Sequence, residues 1–299
     1  MKNSDYNNLS RYVSSYLGGL GTHNVVINDQ EWKYLDGGKG EETIVFLHGL
    51  TGSKVLWRSF MQSYVGQYRV IAVDIPGMCV EQRIHNRKNN FRELANWLGL
   101  FLEQLQLDKV HLVGHSISCG IASCLASTSP SLVSSVTLLN HPDVLAEDKV
   151  DQVNGAFDVF LNPHLLESNE GWNETLASLF YSAPRIPNII QRYRQKALLK
   201  HLDAFKQTVE DIAEQRSMVM LYLRKLRCPV LTVATTHDVF ASVEFHHSLQ
   251  HLIPWGRHAL LDKCGHVSFL EKSEEVLALH KDFLKSVTCA NPALMPELA

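Results

Sequence analysis

Apolar residues along this chain fall into two patterns: short β-branched runs of four to six, and longer stretches where they recur every three or four positions. The runs predict strands at 24–27, 31–35, 43–47, 69–74, 109–114, 135–139, 230–235 and 258–261. The recurring stretches predict helices between the later strands. One spans 91–105, with Leu94, Trp97, Leu98, Phe101, Leu102 and Leu105 on one face. Buried strands joined by crossover helices imply an α/β protein whose mostly parallel sheet is covered on both faces. The first two strands are separated only by Asn28, Asp29 and Gln30, and predict an antiparallel hairpin at the sheet edge.

The alternation stops between 143 and 227, where helical patterns and turn signals continue without a strand. A connection of this length inside a compact domain needs structure of its own. It predicts an inserted helical cap, divided by Pro163, Pro184 and Pro187. Its apolar residues Phe157, Phe160, Leu161, Leu165, Leu166, Trp172, Leu176, Leu179 and Phe180 are available either to line an acyl pocket or to pack on the sheet. The resulting organisation is an N-terminal tail or short helix (1–23), a core in two pieces (24–142 and 228–287), the cap (143–227) and a C-terminal tail (288–299).

Composition narrows the class. The 299 residues are 45% hydrophobic and 20% charged, with a net charge of -3, and nothing in that balance favours a nucleic-acid partner. The six cysteines form no C-x-x-C pair or regular framework, which points to small core residues in a reducing, cytoplasmic setting. Neither a secretory h-region nor an apolar run of 18 residues is visible. Leu9, Tyr12, Val13, Tyr16, Leu17 and Leu20 have helical spacing, which suits a short helix packed on the domain and leaves peripheral membrane contact as an alternative.

The strand at 109–114 runs directly into Gly114-His115-Ser116-Ile117-Ser118. A serine on a tight turn between strand and helix, flanked by small residues two positions away, is the pattern of a nucleophile elbow. Ser118 stands where that pattern has glycine. Ligands of open parallel sheets bind at the carboxyl ends of strands, and Asp238 and His266 each follow a predicted strand. A serine hydroxyl needs a base, and imidazole suits that work near neutral pH. A carboxylate then has to orient the ring. Ser116, His266 and Asp238 are therefore the predicted nucleophile, base and orienting acid, with Asp143 as an alternative acid.

These residues sit within Phe46-Leu47-His48-Gly49-Leu50-Thr51-Gly52-Ser53, Val73-Asp74-Ile75-Pro76-Gly77, the elbow, Thr235-Thr236-His237-Asp238 and Gly265-His266-Val267-Ser268-Phe269-Leu270-Glu271. Over roughly 24–287 the chain thereby resembles serine hydrolases of the α/β-hydrolase superfamily, in which the order is Ser, acid, His. Together with Asn162-Pro163, these motifs are similar to the monoacylglycerol-lipase-like esterase and lipase branch. The resemblance implies an eight-stranded α/β-hydrolase fold, an oxyanion hole from the backbone N–H groups of Leu50 and Ile117, no cofactor and no metal. It also implies an ester substrate with an acyl chain and a small alcohol. Met78-Cys79-Val80-Glu81 and Thr235 depart from the family pattern.

Other residues have competing readings. Asp74 fits a structural turn, and His48 and His115 fit local hydrogen bonding. His246, His247 and His251 suggest a metal only with a third recognisable ligand, and Cys119 is either a reactive thiolate at a helix start or packing. Arg185, Arg192 and Arg194 are available as anchors if the same triad acts on a thioester or a carbon–carbon bond. A ligand-binding protein that has kept the fold without turnover is the remaining alternative.

Overall fold

The computed structural model describes residues 19–80, 88–143 and 150–289. Its eight strands are β1 (Leu20–Ile27), β2 (Gln30–Gly37), β3 (Thr43–Leu47), β4 (Arg69–Val73), β5 (Val110–His115), β6 (Val133–Leu139), β7 (Val230–Thr235) and β8 (Arg257–Leu261). They form one sheet in the order β1-β2-β4-β3-β5-β6-β7-β8. β1 and β2 pair antiparallel, as does β2 with β4, and every later pair is parallel. Asn28 and Asp29, both at positive φ, close the edge hairpin with the backbone twist such a turn requires.

β1 starts at Leu20, four residues before the predicted strand, because its first half is mostly solvent-facing and carries little apolar signal. Leu20 therefore belongs to a strand and not to the predicted helix, whose other residues lie outside the described ones. The central strands β3 and β5 are buried at every position, which is why they read as continuous apolar runs.

Successive strand residues point to opposite faces and feed two cores. On one face Val45, Leu47, Leu112, Val136 and Leu138 pack under α2 (Phe91–Gln104) and α3 (Ser118–Thr128). On the other, Phe46, Val70, Val113 and Leu231 pack with Trp57, Phe60, Phe269 and Phe283. That second core involves α1 (Arg58–Gln62), α11 (Ser268–Glu271) and α12 (Ser273–Cys289). α10 (Val243–Leu252) lies between β7 and β8 in sequence. Asn90 caps α2 by accepting from the Glu93 N–H at 3.0 Å, a contact worth about 1 kcal/mol.

Between β6 and β7 the described chain is helical: α4 (Val150–Phe160), α5 (Pro163–Glu167), α6 (Asn169–Ala177), α7 (Asn188–Lys200), α8 (Leu202–Ala213) and α9 (Arg216–Arg224). No strand occurs among the described residues of that insertion. Asn162 and Pro163 start α5, the asparagine accepting from the His164 N–H and the proline occupying the first turn, where its missing donor is harmless. No helix of the described residues is long and apolar enough to cross a membrane.

Candidate active site

β5 ends at His115, and the chain reverses into α3 through Ser116, which is held at φ 56°. Non-glycine residues adopt that conformation at a cost of about 1–3 kcal/mol, so the surrounding structure has to enforce it. It does so with two hydrogen bonds: Ser116 N–H donates to Leu139 O at 2.9 Å, and Cys119 N–H donates to Ser116 O at 2.8 Å. Gly114 makes the turn possible, since a Cβ there would lie 2.7 Å from the Ser118 carbonyl. Gly49 does the same from β3, where a Cβ would approach Ser116 Cβ to 2.9 Å.

Ser118, the departure from the elbow pattern, is fully buried and donates its hydroxyl proton to the His48 carbonyl at 2.5 Å. It thereby ties α3 to the loop after β3. The His48 ring works on the same loop. Its Nδ1–H donates to Gly49 O at 2.8 Å, and its Nε2 accepts from Ile75 N–H at 3.1 Å. Both ring nitrogens are thus used by a neutral imidazole, and burial pushes its pKa down.

Ser116, His266 and Asp238, far apart in sequence, come together at the strand ends. His266 Nε2 lies 2.8 Å from Ser116 Oγ, and His266 Nδ1 lies 2.8 and 2.9 Å from the two Asp238 oxygens. The Asp238 side chain is fully buried and is itself held by Phe240 N–H at 2.9 Å and by Asn140 Nδ2 at 2.9 Å. Asn140, at φ 52° just after β6, also accepts from Ser268 Oγ at 2.6 Å. Asn140 is a site residue that no motif in the sequence marks. Its one local signal was an asparagine, a residue that tolerates positive φ, directly after a buried strand.

Asp143, the alternative acid, faces elsewhere: its Oδ2 accepts from Ser242 N–H at 2.9 Å. Asp74 pairs with the Lys54 ammonium at 2.5 Å and accepts from the Lys54 N–H at 2.6 Å. Asp74, His48 and Cys79 lie close enough to share an ion, but the carboxylate already faces Lys54 and both His48 nitrogens are engaged. His115 donates Nε2–H to His266 O at 2.8 Å, and burial pushes its pKa down to about 3, so it stays a neutral ring whose one N–H proton is committed to holding the His266 backbone. Cys119 is fully buried with its thiol pushed well up by desolvation, which decides for packing over a reactive thiolate. His247 is exposed and engages Gln250, while buried His246 sits 6.1 Å ring to ring from both His247 and His258.

A cavity of about 410 Å³ opens over Ser116 and His266. Leu50 and Leu56 line it from the core, and the cap supplies Phe157, Phe160, Trp172, Leu176, Leu179 and Phe180. Of the cap residues singled out in the sequence, Leu161 and Leu166 are instead buried in packing. A larger groove of about 710 Å³ along α2 is lined by residues such as Asn96, Glu103 and Asp108, remote from these groups. Arg194 is the charged side chain lining the smaller cavity. Desolvation lowers its pKa, and among the described residues no carboxylate pairs with it. Arg185 and Arg192 are exposed.

The cap is joined to the histidine loop by backbone contacts. His266 N–H donates to Leu179 O at 2.8 Å. The Glu271 carboxylate accepts from Tyr181 N–H at 3.2 Å, Ser182 N–H at 2.5 Å and Gly265 N–H at 2.7 Å. Gly265 permits this close passage, because a Cβ there would lie 2.6 Å from both Leu179 O and Phe180 Cα.

A family model described as alpha/beta hydrolase fold matches residues 42–273. The chain is 25% identical over 276 residues to 2-hydroxy-6-oxononadienedioate/2-hydroxy-6-oxononatrienedioate hydrolase 2 of Pseudomonas putida, covering 86% of this chain and 92% of that one. It is 24% identical over 255 residues to monoacylglycerol lipase ABHD6 of Homo sapiens, covering 82% and 76%. Among solved structures, a membrane phospholipase A described as a bacterial virulence factor superposes with a TM-score of 0.84 at 23% identity, covering 96% of this chain and 93% of that one. A putative lipase of Acinetobacter baumannii superposes with a TM-score of 0.81 at 21% identity, covering 94% and 96%. At these identities the structural likenesses speak to the fold alone.

Proposed function

The chain belongs to the α/β-hydrolase fold family, and from that premise we propose that it is a serine carboxylic ester hydrolase working through an acyl-enzyme on Ser116. The observation that carries the reading is the unbroken relay from Asp238 through His266 to Ser116 Oγ at the floor of an apolar cavity.

In this mechanism Ser116 Oγ attacks the ester carbonyl carbon as His266 Nε2 takes its proton. Asp238 holds the ring by its Nδ1–H and stabilises the imidazolium that forms. Charge collects on the former carbonyl oxygen, and the N–H groups of Leu50 and Ile117 are the proposed donors to it. Gly49 O is engaged by His48 Nδ1–H and by Gly52 N–H at 3.0 Å, and in a trans peptide this turns the Leu50 N–H the opposite way, off the His48 ring. Each such donor is worth about 3 kcal/mol in the transition state. His266 then returns its proton to the leaving alcohol. Water, deprotonated by His266, attacks the acyl carbon and releases the acid.

The aromatic and aliphatic lining supports an acyl chain with a small alcohol, as a monoacylglycerol lipase name implies for one relative. Cys119, Cys124, Cys228 and Cys264 are buried thiols outside any disulfide, which supports a cytoplasmic setting. Hydrolysis of a p-nitrophenyl ester series tests the reading. A pre-steady-state burst equal to one nitrophenolate per chain, with preference for medium over very short acyl groups, is expected. A folded protein without burst or turnover contradicts it.

One observation favours a second reading, hydrolysis of a carbon–carbon bond in an anionic substrate. Arg194 lines the cavity without a carboxylate partner among the described residues, and the named substrate of the Pseudomonas putida relative is a dioate. A charge-assisted hydrogen bond is worth about 1.5–3 kcal/mol. On this reading Arg194→Met slows a carboxylate-bearing substrate by about 10- to 150-fold and a neutral ester by less than about 3-fold. Equal effects on both remove the case for an anionic anchor.

A further inference from the structure

From residue 175 to residue 202 the cap contains no aspartate or glutamate, while it carries Arg185, Arg192, Arg194, Lys196 and Lys200. The whole chain has more acidic residues than basic ones, 31 against 28, so this segment is a local reversal of sign.

α7 lies within that segment and sorts its residues by helical spacing. Ile190, Arg194 and Leu198, four apart, turn inward to the cavity. Ile189, Arg192, Tyr193, Lys196 and Lys200 follow the i, i+3, i+4, i+7 pattern on the other side, and all are exposed. Ile189, at 71%, is the most exposed large hydrophobic side chain among the described residues, and Tyr193, one turn further along the same face, is 40% exposed. Ile190 is 47% exposed and Leu270 39% exposed while both line the cavity, so the apolar surface continues from the outer face of α7 into the cavity mouth. The Glu271 carboxylate facing this part of the cap is already engaged by three backbone N–H groups.

We infer that the outer face of α7 and the preceding Arg185 dock on an anionic lipid bilayer, holding the cavity mouth against the lipid surface. The chemistry matches such a surface on both counts. Isoleucine and tyrosine at the centre suit the boundary between headgroups and acyl chains, and long cationic side chains beside them reach the phosphates. A second copy of the same face would set cations against cations, so self-association does not satisfy this surface. The inference goes beyond the ester-hydrolase reading and does not depend on it, because docking is measured without turnover.

Co-sedimentation with vesicles tests it, using the full chain and its Ser116→Ala variant in parallel. Both are expected to bind vesicles of phosphatidylcholine and phosphatidylglycerol (3:1) in about 0.1 M salt, to leave them at about 0.5 M, and to ignore pure phosphatidylcholine. Each cation near an anionic surface strengthens partitioning about five-fold, so Arg192→Gln with Lys196→Gln is expected to weaken it about 30-fold. Ile189→Asp should weaken it as well. None of the three exposed positions touches the cavity, so hydrolysis of a soluble short-chain ester should stay unchanged in these variants. Wild-type protein that ignores phosphatidylglycerol vesicles, binds neutral ones equally, or binds unchanged after the double substitution overturns the inference. So does a stable dimer in solution that the same substitutions dissolve.

Discussion

Glu271 offers a quantitative test of how the cap is held. Its Oε2 accepts from Gly265 N–H and Tyr181 N–H, and its Oε1 accepts from Ser182 N–H. In Glu271→Gln the amide oxygen can take the place of Oε2 and keep two of these bonds. The amide nitrogen then faces the Ser182 N–H, donor against donor. The variant loses one charge-assisted hydrogen bond, about 2 kcal/mol, and the exposed Ser182 N–H turns to water. That loss falls on the contact between cap and histidine loop, so it should appear as local opening before it appears as global unfolding. About 2 kcal/mol corresponds to an open population roughly 30-fold larger, and tryptic cleavage after Arg185, three residues beyond the clasp, should accelerate by that factor. Ester turnover should fall too, because Gly265 precedes His266, while substrate that reseats the cap at saturation should recover part of it. Cleavage at the wild-type rate, with urea stability within about 0.5 kcal/mol of wild type, would refute the clasp.

Three other perturbations probe separate parts of the site. Asn140→Gly keeps the positive φ easy but removes a donor to Asp238, so kcat should drop about 10-fold with KM unchanged; a matching rise in KM would mean that Asn140 acts on substrate binding instead. Ser118→Ala removes the hydroxyl bond to the His48 carbonyl and should lower stability by about 1 kcal/mol and kcat several-fold, whereas an unchanged kcat would show that the loop after β3 holds without it. Acid should destabilise the fold in a defined window. Burial pushes the pKa of His141 down to about 4 and those of His115 and His280 down to about 3. Unfolded histidines titrate near 6.5, so below that pH the unfolded chain binds more protons and stability falls as pH drops from about 6.5 toward 4. Each ring contributes a slope of about 1.4 kcal/mol per pH unit, and His280→Phe should flatten the urea midpoint across that window; a midpoint independent of pH there would contradict the burial argument.

The sheet was legible because its central strands are buried on both faces and their apolar runs are bounded by turn residues, as Thr43–Leu47 and Val110–His115 show. The edge was less so, since most of β1 faces solvent and its first residues carry no strand pattern. The three residues of the relay were legible because each follows a strand and each has a distinct chemistry. What holds them was not. Asn140 reaches Asp238 across 98 positions, and Glu271 reaches Ser182 across 89, and neither contact leaves a local pattern. Ser118 appeared in the sequence only as a flaw in the elbow, whereas the fold gives its hydroxyl a partner in a loop 70 positions away. Arg194 was one of three cap arginines on equal footing until helical phase set it inward and Arg192 outward.

The proposed hydrolysis requires Ser116 to be an activated nucleophile. Intact mass after exposure to a fluorophosphonate addresses that directly, with Ser116→Ala and His266→Gln as companions. A single adduct on the wild type, none on Ser116→Ala, and labelling slowed by orders of magnitude in His266→Gln are expected. A wild-type protein that stays unlabelled while folded, or a Ser116→Ala protein that labels equally, would contradict it.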